Sequence, residues 1–164
     1  MSEILTPRLR LRRACEDDAE ALFDIFSRPA AMRYWSTPPH EDIAQTREWL
    51  AGMIASPPEV SCDYIVERDG RVIGKAGFFR LPEIGYILHP DQWGRGLAHE
   101  ALSAVIARVF EAFPIPAVEA DVDPRNAASL KLLAKLGFVE TRRASRTWLV
   151  GEEWCDSVYL SLAR

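Results

Sequence analysis

Two glycines separated by one residue are the first feature of the chain that suggests chemistry. The run Trp93-Gly94-Arg95-Gly96-Leu97-Ala98 follows an apolar stretch over 84–88 and begins an amphipathic pattern over 97–113. A helix start presents unpaired backbone N–H groups and a partial positive charge. Glycines allow an anion to come close to that backbone. The run therefore predicts a site for a phosphate or pyrophosphate, with an ordinary tight loop as the alternative.

The spacing argues against two common nucleotide sites. A dinucleotide-binding turn has a third glycine at the position where His99 stands. The Lys-Ser/Thr pair of a P-loop is also missing.

A second stretch, 126–138, reads Asn-Ala-Ala-Ser-Leu-Lys-Leu-Leu-Ala-Lys-Leu-Gly-Phe and follows a predicted strand over 118–122. Asn126 is a good helix N-cap, which places Ser129 at the third helical position. Gly137 is well placed to end the helix. A capped helix accounts for most of these residues without any chemical role.

Together the two stretches resemble the GNAT superfamily of acyl-CoA N-acyltransferases, and most closely its ribosomal-protein N-terminal acetyltransferase branch. The order and spacing match over 83–138, and the two ends of the chain also look like this branch. Trp93 stands where the wider superfamily often has Gln or Arg, and Trp is usual in the branch. The matching segments are Thr6-Pro7-Arg8-Leu9-Arg10-Leu11-Arg12, Glu83-Ile84-Gly85-Tyr86, Trp93-Gly94-x-Gly96-x-Ala98, Glu100-Ala101, Asn126-x-x-Ser129, Lys135-Leu136-Gly137-Phe138 and Trp154-x-Asp156-x-x-x-Tyr159.

The resemblance implies an α/β (α+β) fold in one N-acetyltransferase domain over 1–164. Its mixed central β-sheet is flanked by helices, and two strands splay apart at the acetyl-CoA site, one of them with a bulge. Acetyl-CoA is the expected co-substrate, with no metal. The residues expected to bind it are Ile87, Leu88, Trp93, Gly94, Arg95, Gly96, Leu97, Ala98, Asn126 and Ser129.

Acetyl transfer from a thioester to an amine passes through a tetrahedral oxyanion, which the backbone N–H of Leu88 is expected to stabilise. By resemblance, Ser129 lies near the thioester sulfur and donates a proton or hydrogen bond to the leaving group; helix capping is its equal alternative. Glu83 is the expected base, or holds the water that acts as one. A solvated carboxylate at the strand end is the stronger alternative for Glu83.

Other proton-handling candidates are weaker. Glu119 lies on the neighbouring predicted strand, and His89 has a suitable ordinary pKa, although His before Pro at a strand end is typical of a loop. The sequence does not place the hydroxyl of Tyr86 or of Tyr159. The acceptor wall is expected to include Arg33, Tyr34, Trp35, Trp154 and Tyr159, each with core packing as the alternative.

Bulk properties limit the classes of partner. The net charge of −4 gives no electrostatic case for nucleic acid, and no apolar run approaches the length of a membrane span. Three widely spaced cysteines and an N-terminus without a signal-peptide core favour a reduced, cytoplasmic protein. We expect a monomer or homodimer that binds acetyl-CoA and an amine acceptor.

Three functions stay open at this stage. The first is acetylation of a protein or peptide N-terminal α-amine, as the branch implies. The second is acetylation of a small amine such as an amino acid, a polyamine or an antibiotic. The third is a non-catalytic module that binds acyl-CoA.

The elements that must position these residues follow from hydrophobic periodicity and turn signals. Helices are expected from Asp17 to Phe26, after Thr37-Pro38-Pro39, and over 97–113 and 126–136. A hairpin is expected at Asp69-Gly70. The expected strands are 8–12, 64–67, 72–79, 83–88, 118–122, 138–143, 146–150 and 157–162.

Overall fold

The computed structural model describes residues 2–164, so Met1, which the predicted domain includes, lies outside the described residues. Short 3-10 turns precede α1 and follow β5. The elements are β1 (Ile4–Leu5), β2 (Arg10–Arg12), α1 (Ala19–Phe26), α2 (Pro29–Met32), α3 (Ile43–Ala55), β3 (Cys62–Arg68), β4 (Arg71–Arg80), β5 (Glu83–Leu88), α4 (Leu97–Ala112), β6 (Ala117–Val122), α5 (Ala127–Lys135), β7 (Val139–Val150) and β8 (Glu153–Ala163).

The strands form one eight-stranded sheet in the order β1-β2-β3-β4-β5-β6-β8-β7. Strands β5 and β6 pair in parallel and the other neighbours pair antiparallel. One face packs against α1 and α3 through Ile65 and Ile87. The other face packs against α4 and α5 through residues such as Leu88 and Val118. The predicted α/β fold, with a mixed sheet between helices, is therefore confirmed.

The parallel pair β5–β6 separates almost as soon as it forms. Its register is defined by a single pair, Glu83 with Glu119, next to a hydrogen bond from the Glu119 N–H to the Pro82 carbonyl (2.9 Å). Beyond this point the two strands diverge toward the C-terminal end of β5. This is the splay that the family resemblance implies.

Local sequence signals account for two of the connections between elements. Asp69 (φ 52°) and Gly70 (φ 74°) both adopt the left-handed conformation that a two-residue hairpin turn needs. Pro29 opens the four-residue helix α2, shortly after the first predicted helix ends at Phe26. No helix among residues 2–164 is both long and apolar enough to cross a membrane.

Three expectations about strands were wrong or incomplete. The two strands predicted over 138–150 are one strand, β7, whose register shifts between Ala144 and Trp148, with Arg146 at φ 55°. The Asp156 carboxylate accepts a hydrogen bond from the Arg146 N–H (2.8 Å), which stabilises this irregularity. The bulge expected on the splaying strand lies instead on β4, between Gly77 and Arg80. Strand β1 was not predicted, because its two residues are too few to show hydrophobic periodicity.

Candidate active site

A cleft of about 2280 Å³ opens where β5 and β6 diverge. Ordinary small-molecule sites measure roughly 300–1,000 Å³, so this cleft has room for a long ligand and a second reactant. It extends from the loop before α4 to the segment between α2 and α3. The expected cofactor residues Ile87, Leu88, Trp93, Gly94, Gly96, Leu97, Ala98, Asn126 and Ser129 all line it.

The glycine loop forms the end of the cleft beside α4. Gly94 (φ 71°) and Gly96 (φ 75°) adopt left-handed conformations, and Gly96 is the N-cap of α4. A Cβ at Gly94 would meet no atom within 4 Å, so the backbone there is open to a ligand. The free N–H groups of the first turn of α4 make this loop a suitable site for phosphate oxygens.

The glycine loop is tied to the N-terminal segment. The Arg8 guanidinium donates to the Arg95 carbonyl (2.9 Å) and to Glu100 (2.6 Å). Glu100 also accepts hydrogen bonds from the Thr6 hydroxyl (2.6 Å) and the Arg8 N–H (2.9 Å). Arg95 does not line the cleft. Its backbone helps to hold the loop, so the structure does not support a side-chain contact with the cofactor.

The backbone N–H groups of Tyr86 and Leu88 on β5 face the gap between β5 and β6. The His89 N–H donates to Ile73 on the β4 side (2.8 Å). Hydrogen-bonded and non-bonded pairs alternate along an antiparallel ladder, so Leu88 and Tyr86 direct their polar groups away from β4. The Trp93 indole donates to the Leu88 carbonyl (2.9 Å), which agrees with this direction.

Ser129 and Tyr86 meet through their hydroxyl groups on the α5 side of the gap. Burial raises the pKa of Tyr86 to about 12, against a smaller lowering by the Ser129 contact, so this phenol stays protonated at neutral pH. The Asn126 side chain caps α5 by accepting from the Ser129 N–H (3.2 Å). The Ser129 hydroxyl is therefore not needed for capping and points to Tyr86 instead.

Three carboxylates lie together on the opposite face of the sheet. Glu83 and Glu119 are directly paired, and Asp121 follows two residues later, so all three side chains share one face. Each of the three lines the cleft. Reduced hydration at the cleft wall, followed by the charges of Asp121 and Glu119, raises the pKa of Glu83 above its ordinary value. A carboxylate with a raised pKa is a better proton acceptor near neutral pH.

The far end of the cleft is bounded by the segment after α2. The expected acceptor residues Arg33, Tyr34 and Trp35 all line it. The Tyr34 ring lies near two guanidinium groups, with its centroid 5.1 Å from Arg33 and 5.8 Å from Arg125. From β7, the Trp148 indole donates to Asp121 (2.8 Å) and closes the wall on that side.

Two of the expected acceptor residues are placed elsewhere. Neither Trp154 nor Tyr159 lines the cleft. Arg146 lies 5.0 Å from the Trp154 ring and Arg142 lies 4.0 Å from the Tyr159 ring, so both aromatics pack under arginines of β7.

His89, one of the weaker base candidates, also lies outside the cleft lining. Its ring nitrogens lie 3.2 Å from Asp24 and 2.6 Å from Asp91.

Sequence reasoning missed several residues of the cleft, among them Asp121, Trp148 and Lys75, and it named Tyr86 without placing its hydroxyl. Lys75 left a readable signal because it is a charged residue within an otherwise apolar strand pattern. Asp121 could have been found from its spacing of two residues after Glu119. Tyr86 and Trp148 contact segments that are far away in the chain, so no local sequence pattern indicates their partners.

The arrangement suits acyl transfer from a bound thioester to an amine. One end of the cleft offers backbone N–H groups for phosphate, and the gap between β5 and β6 offers donors for a developing oxyanion. The sheet face with Glu83, Glu119 and Asp121, which we call the acceptor face, offers carboxylates for a cationic amine. Within residues 2–164, no group of three His, Cys, Asp or Glu side chains is arranged to hold a metal ion.

Comparison with known proteins gives the same result. The family described as Acetyltransferase (GNAT) domain matches residues 8–139. An uncharacterized N-acetyltransferase, p20 of Bacillus licheniformis, is 33% identical over 147 residues, which cover 84% of this chain and 83% of that protein.

Two further similar proteins are named for different acceptors. The [ribosomal protein uS5]-alanine N-acetyltransferase of Escherichia coli (strain K12) is 29% identical, with 97% of this chain and 89% of that protein covered. The crystal structure of the spermidine N-acetyltransferase of Vibrio cholerae, in complex with CoA and spermine, has a TM-score of 0.82 at 18% identity, covering 96% of each chain. The name of the first protein agrees with the N-terminal acetyltransferase branch that the sequence motifs resemble. The second protein shares the fold.

Because a GNAT family profile covers most of the chain and the cleft has the parts that acetyl transfer needs, this protein belongs to the GNAT family and is an acetyl-CoA-dependent N-acetyltransferase.

Proposed function

We propose that the acceptor of this enzyme is a primary amine, and specifically the α-amino group of a protein or peptide. The observation that carries the proposal is the group of three carboxylates, Glu83, Glu119 and Asp121, on the acceptor face of the cleft. Opposite charges attract a protonated amine to the gap between β5 and β6. The 29% identity with an enzyme named for a ribosomal-protein alanine supports the choice of an α-amine.

Glu83 is proposed to accept the proton that the amine must lose before it attacks, directly or through one water. Its raised pKa brings the carboxylate closer to the reference pKa of an α-amine, roughly 8. An α-amine is also easier to deprotonate than a lysine side chain, whose reference pKa is about 10.4.

The strand β5 is proposed to stabilise the oxygen on which negative charge develops. The N–H of Leu88 remains our expected donor, and the N–H of Tyr86 is a second donor on the same edge. On the other side of the gap, Ser129 and Tyr86 form a donor pair for the departing thiolate. Because Tyr86 keeps its proton at neutral pH, it can resupply the Ser129 hydroxyl.

Small amines are the competing acceptor class, since the three carboxylates would also attract a polyamine. The deciding experiment measures CoASH release with peptides that carry a free N-terminus, with the same peptides N-terminally blocked, and with free amino acids and spermidine. We expect turnover with the free peptides, none with blocked ones, and a rate that rises from neutral to mildly alkaline pH. Turnover with spermidine or an amino acid and none with any peptide would contradict the proposal.

A further inference from the structure

A buried ion pair lies beneath the acceptor face and has no part in the chemistry described so far. Lys75 on β4 and Asp63 on β3 are joined at 2.8 Å, and their side chains are 3% and 1% exposed. Burial raises the pKa of Asp63, while the Lys75 ammonium acts in the opposite direction. Taking two charges out of water is costly, so such a pair is weak evidence for a purely stabilising role.

The Lys75 ammonium lies at the wall of the cleft. Lys75 is directly opposite Ile87 on β5, and its Nζ would be 3.8 Å from a Cβ built on Gly85. Nζ also lies 5.9 Å from the centroid of Trp35. Lys75, Gly85, Ile87 and Trp35 all line the cleft. Since glycine has no side chain, nothing from position 85 covers the ammonium.

The ammonium retains donor capacity beyond its contact with Asp63. An ammonium group has three N–H donors. Within residues 2–164, Asp63 is the only carboxylate within 4.0 Å of Nζ, and the Trp35 ring can take at most a cation–π contact. A donor is therefore available to an oxygen atom in the cleft.

Lys75 shares its face of the sheet with the three carboxylates. Ile87, Gly85 and Glu83 alternate on β5 toward the α1–α3 side, and Lys75 faces the same way because it is opposite Ile87. The acceptor face thus has a negative region at Glu83 and a positive group at Lys75. A reactant with an amine and a nearby oxygen acceptor matches both.

We propose that Lys75 donates a hydrogen bond to the oxygen of a carbonyl or carboxylate group that is bonded to the same carbon as the acceptor amine. This inference rests on the proposed function and deepens it, because it predicts a preference for α-amino acyl compounds. A polyamine has no such oxygen and brings a second cation toward Lys75. The like charges repel, so polyamines are disfavoured.

The test removes the oxygen from the substrate and the donor from the enzyme. Alaninamide is compared with 3-methylbutan-2-amine, in which an isopropyl group of similar size replaces the carboxamide. The rates are expressed per deprotonated amine. We expect wild type to have a kcat/KM at least tenfold higher for alaninamide, and K75M to lose most of this preference. The preference is a ratio, so a merely structural defect, which lowers both rates together, does not change it.

Two control variants separate the loss of the Lys75 donor from a defect in folding. The double variant D63N/K75M leaves no unpaired buried charge and is expected to show the same lost preference. R12M removes a partner from an ion-pair cluster that does not line the cleft, so its preference for alaninamide should stay at the wild-type value. If neither Lys75 variant folds, the wild-type comparison alone decides, because equal rates for the two amines would overturn the inference.

The two proposals can fail separately. Acetylation of peptides by the wild type, with an unchanged alaninamide preference in K75M, overturns the role of Lys75 and leaves the acceptor proposal intact. Acetylation of spermidine with no activity on alaninamide or peptides overturns both.

Discussion

At the scale of single residues, the contact between Ser129 and Tyr86 changes how the sequence is interpreted. Ser129 had two equal interpretations, a helix cap or a donor to the leaving group. The cap is supplied by Asn126, whose side chain accepts from the Ser129 N–H, and the Ser129 hydroxyl meets the Tyr86 phenol in the cleft. A role in proton transfer is thus separated from a role in helix stability.

We predict that Ser129→Ala lowers kcat by about a hundredfold, the usual size of a general acid contribution, while the affinity for CoA changes little. A contact made mainly in the transition state appears in the rate constant. Steady-state kinetics give kcat and titration calorimetry gives CoA affinity. Tyr86→Phe should cause a loss of similar kind, and the double variant should lose less than the product of the two, since the hydroxyls act together.

Because the backbone cap is retained, thermal unfolding of Ser129→Ala should stay close to wild type. A variant that unfolds readily but has normal specific activity in its folded fraction would contradict the donor role.

At the scale of elements, the glycine loop and the start of α4 form a unit with the N-terminal segment. Arg8 and Glu100 bring together residues 92 positions apart through hydrogen bonds of 2.6 and 2.9 Å. Glu100 lies in the first turn of α4, where a carboxylate also interacts favourably with the helix dipole. The loop is therefore held in place before the cofactor binds, which reduces the ordering cost of binding.

We predict that Gly96→Val weakens CoA binding at least tenfold. Gly96 has φ 75°, a conformation that a β-branched residue adopts only at a cost of about 1–3 kcal/mol. A Cβ there would lie 3.6 Å from the Arg8 guanidinium, so the added methyl groups crowd both the contact between Arg8 and the loop and the phosphate site. Titration calorimetry with CoA measures the effect.

Gly70→Val is the matched control. Gly70 has φ 74° and open space around it, but it lies in the β3–β4 hairpin and does not line the cleft. It carries the same backbone strain, so it should lower stability and leave CoA affinity unchanged. Equal CoA affinity in folded Gly96→Val and wild type would show that the loop does not bind the cofactor.

At the scale of the whole molecule, a cluster of ion pairs joins the sheet to the start of α1. Arg12 on β2 contacts Asp18, just before α1 (2.6 Å), and Glu67 on β3 (2.7 Å). Burial alone would raise the pKa of Asp18, but hydrogen bonds from Arg12 and the Cys15 N–H outweigh it, so the pKa is lowered below its ordinary value.

This lowered pKa has a definite consequence for acid stability. A carboxyl group with a lower pKa in the folded state stabilises the fold above its unfolded pKa, about 3.9, and this contribution is lost as the pH falls through the folded pKa. We predict that Asp18→Asn lowers the free energy of unfolding at pH 7 by about 1–3 kcal/mol. The difference from wild type should shrink below about pH 4, where the unfolded chain binds a proton at this position while the folded Asp18 still resists one.

Urea unfolding of both proteins at pH 7 and at pH 3 measures these differences. A difference that is the same at both pH values would mean that the ionised Asp18 contributes nothing to stability.

The sequence by itself determined the parts that depend on local pattern. Hydrophobic periodicity located most helices and strands, Asp69-Gly70 predicted the hairpin, and Gly94, Gly96 and Asn126 predicted a phosphate loop and a capped helix. These features follow from backbone conformations that only certain residue types favour. The ordered motifs also indicated the family, which the comparisons confirmed.

The tertiary structure decided what depends on how distant segments cross. The irregular pairing of β7 with β8 merged two predicted strands into one and left Trp154 and Tyr159 away from the cleft. The parallel pairing of β5 with β6 gathered Glu83, Glu119 and Asp121 on one face, and α5 brought Ser129 to Tyr86. Lys75 lines the cleft because β4 pairs with β5, which places it opposite Ile87 and next to Gly85. Such contacts depend on register and crossing between segments far apart in the chain, which no local window of sequence encodes.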